Sequence, residues 1–588
     1  MLCGLEIHQR LEGKKLFNSC QALMPSNKIG EHLKFFRRLN SAFSELGELD
    51  KAAAFESQKD KTFYYLAPYS STCLVDTDEE PPGYINKNAL IYALSLSKFL
   101  GSHIVDEIYV MRKIIIDGSN VSGFQRTALI AVDGMLKENG IEIPIHTICL
   151  EEESAGIIEQ TDKSDLYRLD RLGIPLIEIS TKPVFKSASD AKKAAIAIGS
   201  TLRMMPFTMR GLGSIRQDVN VSVDGGERVE IKGLQNIQML ELLINNEEKR
   251  QLQLIEIINE IKKRKIDFSK IEFKDVSNIF IASQCKIFSE TLKNNGVIYA
   301  IKIPKFFGLL GKELYSNKRF GSEISDYAKI YSGVKGIIHS DENLEKYKIS
   351  KEEIENLSNF LQLEKEDSFI LIAEQKEKVI KAVNAAINRI KMDFVPSETR
   401  KANEDGSSSF LRPIAGAARL YPETDLKPID PRIFLSQVFK IIPFGQRLMQ
   451  YKKLIGKELA LQIVASHNLF LFEEFLQLGL DPKQSVLVLE KYLTEFKREG
   501  LNTEKLTKDI LIQALRLYSD KKINHFALAE LLRQALILNT FDLEKIAKEK
   551  NLYQLSKKET KKLFEQEGDI KKFMQKYRLI ADLSIFKN

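Results

Sequence analysis

The segment "GLEIHQRL", residues 4 to 11, alternates apolar and ionisable side chains, and this alternation limits what the chain can fold into more than any other feature. Successive side chains of an extended strand point to opposite faces, so Leu5 and Ile7 share one surface while Glu6 and His8 share the other. Read alone, the segment predicts an edge strand with a wet outer face. "GIPLIEIS" raises a harder question, because Glu178 stands between Ile177 and Ile179 in an otherwise apolar run. A carboxylate there is costly to bury unless a cation meets it. That cation is either a lysine or arginine, or a divalent metal held jointly by His8, Glu152 and Glu178. Oxygen-rich ligation of this kind suits Mg²⁺, and the single imidazole admits Mn²⁺. Two other acidic spots accompany these: "CLEEESAG", with Glu151, Glu152 and Glu153, whose bland reading is a solvated turn, and "GSIRQDVNVSV", with Asp218 near Arg216.

Several classes of function are excluded. The five cysteines (Cys3, Cys20, Cys73, Cys149, Cys285) are scattered and form no CxxC pair, which argues against a disulfide framework and a cysteine zinc site. The seven histidines form neither HxxxH nor HExxH. GxxxxGK[ST], a strand-linked GxGxxG and GxSxG are all missing, so nucleotide binding by the common loops and a serine elbow are not supported. No run approaches the roughly 18 apolar residues of a membrane span, and Glu6 and His8 stand where a signal peptide would be apolar. The expected compartment is the cytoplasm.

The 588 residues carry a net charge of +7, unevenly placed: residues 431–588 hold 28 Lys+Arg against 19 Asp+Glu, and the remainder 59 against 61. A basic C-terminal part suggests a polyanion, nucleic acid more than membrane; solvated lysine-rich helix faces are the plain alternative.

Along the chain, "NALIYALSLSKFLG" predicts a helix with Asn88 as N-cap and Gly101 past its end. "DVNVSVDGGERVEIKG" predicts a hairpin in which Val219, Val221 and Val223 alternate and Val229 and Ile231 return, leaving Asp218, Asn220, Ser222, Glu230 and Lys232 on a densely polar face. Apolar residues at helical spacing mark about 240–265. From 271 to about 400 the texture becomes that of a separate α+β unit, with a β-rich run that breaks at Pro304. A proline-rich stretch follows, and beyond it the sequence reads helical, as in "FALAELLRQALIL", where Leu528, Leu531, Leu532, Ala535 and Leu536 keep the i, i+3, i+4 rhythm.

Together "GLEIHQRL", "RKIIIDGSNVSGFQRTALI", "LEEESAG", "RLGIPLIEIS", "IRQDVNVSV" and "EIKGLQN" resemble the B/E family of tRNA-dependent amidotransferase subunits. "STCLVDTDEEPPG" and the inserted block point to its archaeal E type. That block is similar to the insertion domain of bacterial aspartyl-tRNA synthetases through "YAIKIPKFFGLLGKEL", "FGSEISDYAK" and "GIIHSDE". The resemblance spans nearly the whole chain. It implies an α+β multidomain protein with a mixed α/β catalytic cradle at 1–270 that resumes at about 400–430. It also implies an inserted domain at 271–399, a helical domain at 431–515 and a basic helical tRNA-binding tail at 516–588. The implied reaction is ATP-dependent phosphorylation of the glutamyl group of Glu-tRNA(Gln), followed by displacement of phosphate by ammonia to give Gln-tRNA(Gln). Metal ligands would fall on His8, Glu152 and Glu178, with Glu153 the register rival of Glu152. Glu6 would orient the metal or take a proton from ammonia. Lys113, Arg216 and Lys232 would hold phosphate oxygens, with Lys113 and Arg216 on ATP, and Asp218 would serve a second metal. The alternative for each of these last four is a structural ion pair within the cradle.

The chain carries no recognisable ammonia source, so the resemblance implies a partner, the asparaginase-like D-type amidotransferase component, in a heterodimer or a dimer of heterodimers. Relatives carry paired cysteines for zinc after the opening motif; "LFNSCQALMPSN" keeps only Cys20, and no zinc is expected. Two other readings stand beside this one. A tRNA-binding scaffold without chemistry would have no reason to keep polar residues inside apolar strands. A bacterial B-type component working with an A/C amidase would lack the inserted block.

Overall fold

The computed structural model describes residues 1–586 apart from 24–27, 42, 44–46, 139 and 212. They divide into two compact units, Met1–Ile441 and Ile442–Asn588. The first is mixed α/β and the second, as far as it is described, entirely helical.

An eleven-stranded sheet organises the first unit. Its main path uses β1 (Leu2–Arg10), β2 (Val110–Ile114), β3 (Phe124–Glu138), β4 (Ile141–Glu152), β5 (Pro175–Thr181), β6 (Ile215–Ser222) and β7 (Val229–Leu234). A second set of strands, β8 (Val297–Ile303), β9 (Ile338–His339) and β10 (Ser368–Glu374), belongs to a separate four-stranded sheet within the 271–400 block. The chain then returns to the large sheet with β11 (Glu398–Ala402), β12 (Ser408–Pro413) and β13 (Leu420–Pro422). The spatial order is β12-β11-β7-β6-β1-β5-β4-β3-β2-β13, with a short strand at His103–Ile104 pairing off β3.

β1 therefore lies between β5 and β6, with Ile7 opposite Ile179 and Gln217. The edge-strand expectation for residues 4–11 is corrected: the alternation is that of an interior strand with one apolar and one polar face. The apolar face is covered, with Leu5, Ile7, Ile177 and Ile179 all buried. Helices α1 (Lys87–Phe99), α2 (Ala188–Arg203) and α3 (Leu240–Lys263) pack on strands β3 and β4, β1 and β6 respectively. Such one-sided cover is what a mostly antiparallel sheet permits, and it leaves the other face to polar residues. The 218–233 hairpin forms as expected, Val219 pairing with Ile231 and Val221 with Val229. In α1 the N-cap is Asn86, whose side chain accepts from the amides of Asn88 and Ala89, so the expected cap at Asn88 moves two residues back.

The 271–400 block lies within the first unit and shares a core with α3, because Leu254, Ile257, Ile258 and Ile261 of α3 pack with residues of α4 (Phe320–Ser332) and α5 (Lys376–Lys391). A buried ionic group ties the same elements. Arg250 of α3 reaches Glu323 of α4 at 2.5 Å and Glu398 of β11 at 3.1 Å; Arg400 reaches Glu323 at 3.1 Å; Arg389 of α5 reaches it at 3.3 Å. With Glu247 beside Arg250, three guanidinium groups meet three carboxylates away from water. Residues 431–441, expected to open the helical region, lie in the first unit. In the second, α6 (His525–Leu538) buries Leu528, Leu531, Leu532, Ala535 and Leu536, the stripe read from the sequence. No single helix among the described residues is long and apolar enough to cross a membrane.

Candidate active site

Register brings the polar residues of seven strands onto the uncovered face of the sheet. His8 of β1 sits directly opposite Glu178 of β5, and Nε2 and Oε2 are 3.1 Å apart. Cys149 of β4 faces Glu178 from the other side, so Glu151, two residues on, shares that face. Candidate ligand atoms of His8, Glu151 and Glu178 all lie within 4.8 Å of one another. Lys113 of β2 completes this corner, its Nζ 2.6 Å from Glu151 Oε1.

Here the sequence expectation is corrected. Glu152 occupies the opposite parity, on the far side of β4, where its Oε2 accepts from the Arg126 amide at 3.2 Å and lies 3.5 Å from the Arg126 guanidinium. Glu153, the rival, lies just past the strand between Arg10 at 2.7 Å, Arg216 at 2.7 Å and Arg171 at 3.8 Å. Glu151 takes the place given to either. Nor is the triplet a solvated turn, since the three glutamates are 3%, 7% and 1% exposed. Arg216, expected at phosphate, instead donates from Nη2 to both oxygens of Glu153, at 2.7 and 2.9 Å.

A second acid cluster lies beside the first. Glu6, Asp218 and Glu230 again bring one oxygen each within 4.8 Å of the others. Lys232 bridges Asp218 at 3.1 Å and Glu230 at 2.8 Å; Asn220 donates to Glu6 at 3.0 Å; Thr399 of β11 donates to Glu230 at 2.9 Å. Glu230 and Thr399 were missed as site residues. Glu230 was visible as a polar hairpin residue, but Thr399 falls at the very end of the expected 271–399 insertion, in a strand that has already returned to the large sheet, and left no local signal.

The electrostatics follow from burial and neighbours. Burial draws the His8 imidazole toward neutrality, but its bond to Glu178 and the charges of Asp218 and Glu151 outweigh that and raise it to about 9. Glu178, despite burial, is driven far below the carboxylate range by His8, Lys113 and Lys232. Burial, then Glu178 and Glu230, push Glu6 up to about 7. Lys232 is held strongly protonated by Asp218, Glu230 and Glu6 against the pull of desolvation. One excess proton on His8 thus sits among carboxylates where a divalent cation has a matching donor set, one imidazole and two carboxylates. His8, Glu151 and Glu178 fit Mg²⁺ or Mn²⁺, and Glu6, Asp218 and Glu230 offer a second all-oxygen group.

Cys73 and Asp76 approach Cys20, also within 4.8 Å. Cys20 and Cys73 are far apart along the chain, so local spacing does not show this convergence. Lys15 already places its ammonium 3.1 Å from Asp76, supplying a cation from the chain itself.

A family model described as the GatB/GatE catalytic domain matches residues 1–433. The E component of the glutamyl-tRNA(Gln) amidotransferase of Pyrococcus furiosus is 42% identical over 575 residues, covering 96% of this chain and 90% of that protein. Its counterpart of the same name in Sulfurisphaera tokodaii is 44% identical over 547 residues, 90% of this chain and 86% of its own. That of Methanocaldococcus jannaschii is 40% identical over 575 residues, with 96% and 90% covered. Both acid clusters and the lysines beside them fall inside the matched span, and the chain belongs to the GatB/GatE family.

Proposed function

We propose that this chain is the kinase and transamidase component of a glutamyl-tRNA(Gln) amidotransferase, converting Glu-tRNA(Gln) to Gln-tRNA(Gln) with ATP and ammonia. The observation that carries the reading is the meeting of His8, Glu151 and Glu178 with Lys113 on one sheet face in a chain of this family. A free carboxylate resists ammonia, so the substrate's γ-carboxylate must first take the terminal phosphoryl group of ATP; ammonia then attacks the acyl carbon and phosphate leaves.

His8, Glu151 and Glu178 would hold Mg²⁺ or Mn²⁺, which when bound offsets charge where two anions approach. Lys113 and Lys232 place ammonium groups at the two clusters for phosphate oxygens. Glu6, raised to about 7, is suited to receive the proton that ammonia loses as the C–N bond forms. Arg216 is bound to Glu153 and fits a positioning role better than a phosphate contact.

Ammonia is taken to come from an asparaginase-like D-type component in a heterodimer or higher assembly, in the cytoplasm. The block at 271–399 is read as the counterpart of the aspartyl-tRNA synthetase insertion, and the basic region after 441 as the tRNA grip.

The test is to incubate the purified chain with Glu-tRNA(Gln), ATP, Mg²⁺ and ammonium chloride, with and without His8→Ala. Gln-tRNA(Gln) that disappears in the variant supports the reading. No product from the intact chain would leave a tRNA-binding scaffold.

A further inference from the structure

Two arginines of the chain that returns to the large sheet stand beside the acid clusters and pair with neither. Arg412 lies at the end of β12, just before Pro413, whose ring keeps the preceding backbone extended. It is directly opposite Thr399 of β11, which is in turn opposite Glu230 of β7. Residues opposite one another on neighbouring strands share a face, so Arg412 joins the row that carries the second acid cluster. Arg419 precedes β13, and its Nε donates to the Ile114 carbonyl at 2.9 Å. That places it close enough to Lys113, at the first cluster, to act on it electrostatically. Between the two arginines the loop is tied down by the Gly416 amide, which donates to Asp50 Oδ1 at 2.8 Å. Asp50 is itself held as the N-cap of the helix Lys51–Ser57.

Both side chains are half-buried, and neither guanidinium has an ion-pair partner among the described residues. The acids near enough to act on them are engaged elsewhere. Glu230 is held by Lys232 at 2.8 Å and Thr399 at 2.9 Å, and Glu56 by Lys59 at 2.7 Å. Asp50 accepts from the amides of Gly416 and Ala53 at 2.8 and 2.9 Å, and Asp117 from the Ser119 amide at 2.9 Å. Arg419 spends only Nε, on a neutral carbonyl, which leaves both Nη ends without a partner. Burial, and then the charge of Arg412, lower its hold on its proton. Two like charges are therefore kept within reach of each other with no carboxylate between them, an arrangement that an anion touching both would stabilise.

We propose that Arg412 and Arg419 form a clamp for the phosphate chain of ATP, which they bind through their free Nη groups. The inference rests on the amidotransferase reading above and deepens it. Lys113 and Lys232 are each engaged by carboxylates, whereas these two cations are neutralised by no side chain that touches them. A polyphosphate offers adjacent anionic groups to both arginines at once, and the planar guanidinium fork fits two oxygens of one phosphate. With Arg419 beside Lys113 and Arg412 beside Glu230, the clamp lies along both clusters, where the terminal phosphoryl group is transferred.

The experiment uses the full chain. ATP binding is measured by equilibrium dialysis with Mg²⁺ and no tRNA, and ammonia-dependent formation of Gln-tRNA(Gln) gives KM for ATP and for Glu-tRNA(Gln) separately. Arg412→Gln and Arg419→Gln should each weaken ATP binding about tenfold or more and raise KM for ATP to match, leaving KM for Glu-tRNA(Gln) within about twofold. Arg419→Lys, which keeps the charge and loses the fork, should recover only part of the loss. Arg412→Gln breaks no ion pair and should leave the melting temperature unchanged. ATP affinity that is the same in both glutamine variants overturns the proposal. So does a rise in KM for Glu-tRNA(Gln) without one for ATP, which would assign the arginines to tRNA phosphates. Dialysis needs no turnover, so the two readings fail separately. An intact chain that makes no product yet binds ATP through these arginines refutes the reaction alone; product formation with ATP affinity indifferent to them refutes the clamp alone.

Discussion

Glu151, Glu152 and Glu153 are neighbours in the chain and meet three environments, because a strand sends consecutive side chains to opposite faces and the strand ends between the second and third. Glu151 faces His8 and Glu178, Glu152 faces Arg126, and Glu153 enters a nest of three arginines. Removing them should have separable effects. Glu151→Gln is expected to weaken Mn²⁺ binding by more than about tenfold and Glu152→Gln to leave it within about threefold, read from free Mn²⁺ by electron paramagnetic resonance. Glu153 predicts a pH effect. Burial raises its affinity for a proton, but Arg216, Arg171 and Arg10 override this and bring it to about 2 from 4.5. A carboxyl depressed in the fold stabilises fully above its unfolded value and loses that contribution as pH falls toward the folded one. Glu153→Gln should therefore cost about 3 kcal/mol at neutral pH, with the gap to the native chain closing between about pH 4.5 and 2 in thermal unfolding.

Among the elements, β11 joins two systems. Thr399 points to the polar face and donates to Glu230, while Glu398 and Arg400, of opposite parity, enter the buried ionic group with Arg250 and Glu323. Removing one partner of such a group strands the others without water, so the loss exceeds what the pair contributes when intact. Glu323→Gln should destabilise the first unit by about 3–5 kcal/mol, measured as a shift in the urea midpoint. Strand and helix identities in this region were readable from local pattern: the 218–233 hairpin, the apolar run ending before Pro304 and the helical spacing after 240 all correspond to observed elements. Caps were less readable. Asn86 and Asn88 are both good caps, and the choice between them depends on Asn86 also donating to the Lys14 carbonyl at 2.8 Å, a contact from 72 residues away.

At the scale of the whole molecule, the second unit carries the surplus of basic charge. If it supplies phosphate contacts, a chain ending at Ile441 should bind tRNA more weakly, with a shallower dependence of log affinity on log salt, because fewer counterions are released. Filter binding across a salt series checks this, and an unchanged slope would remove the second unit from the tRNA interface. The amino-acid order by itself determined which segments pair one apolar with one polar face, that the C-terminal part is helical, and that Glu178 needs a positive partner, a lysine or arginine or a shared divalent metal. Local periodicity and the cost of burying charge are properties of the chain alone. Only the tertiary structure decided that β1 is interior, that Glu151 rather than Glu152 faces Glu178, and that Thr399 returns to the site. Those outcomes depend on which strands pair and in what register, and a shift of one residue exchanges the two faces of a strand without changing its composition.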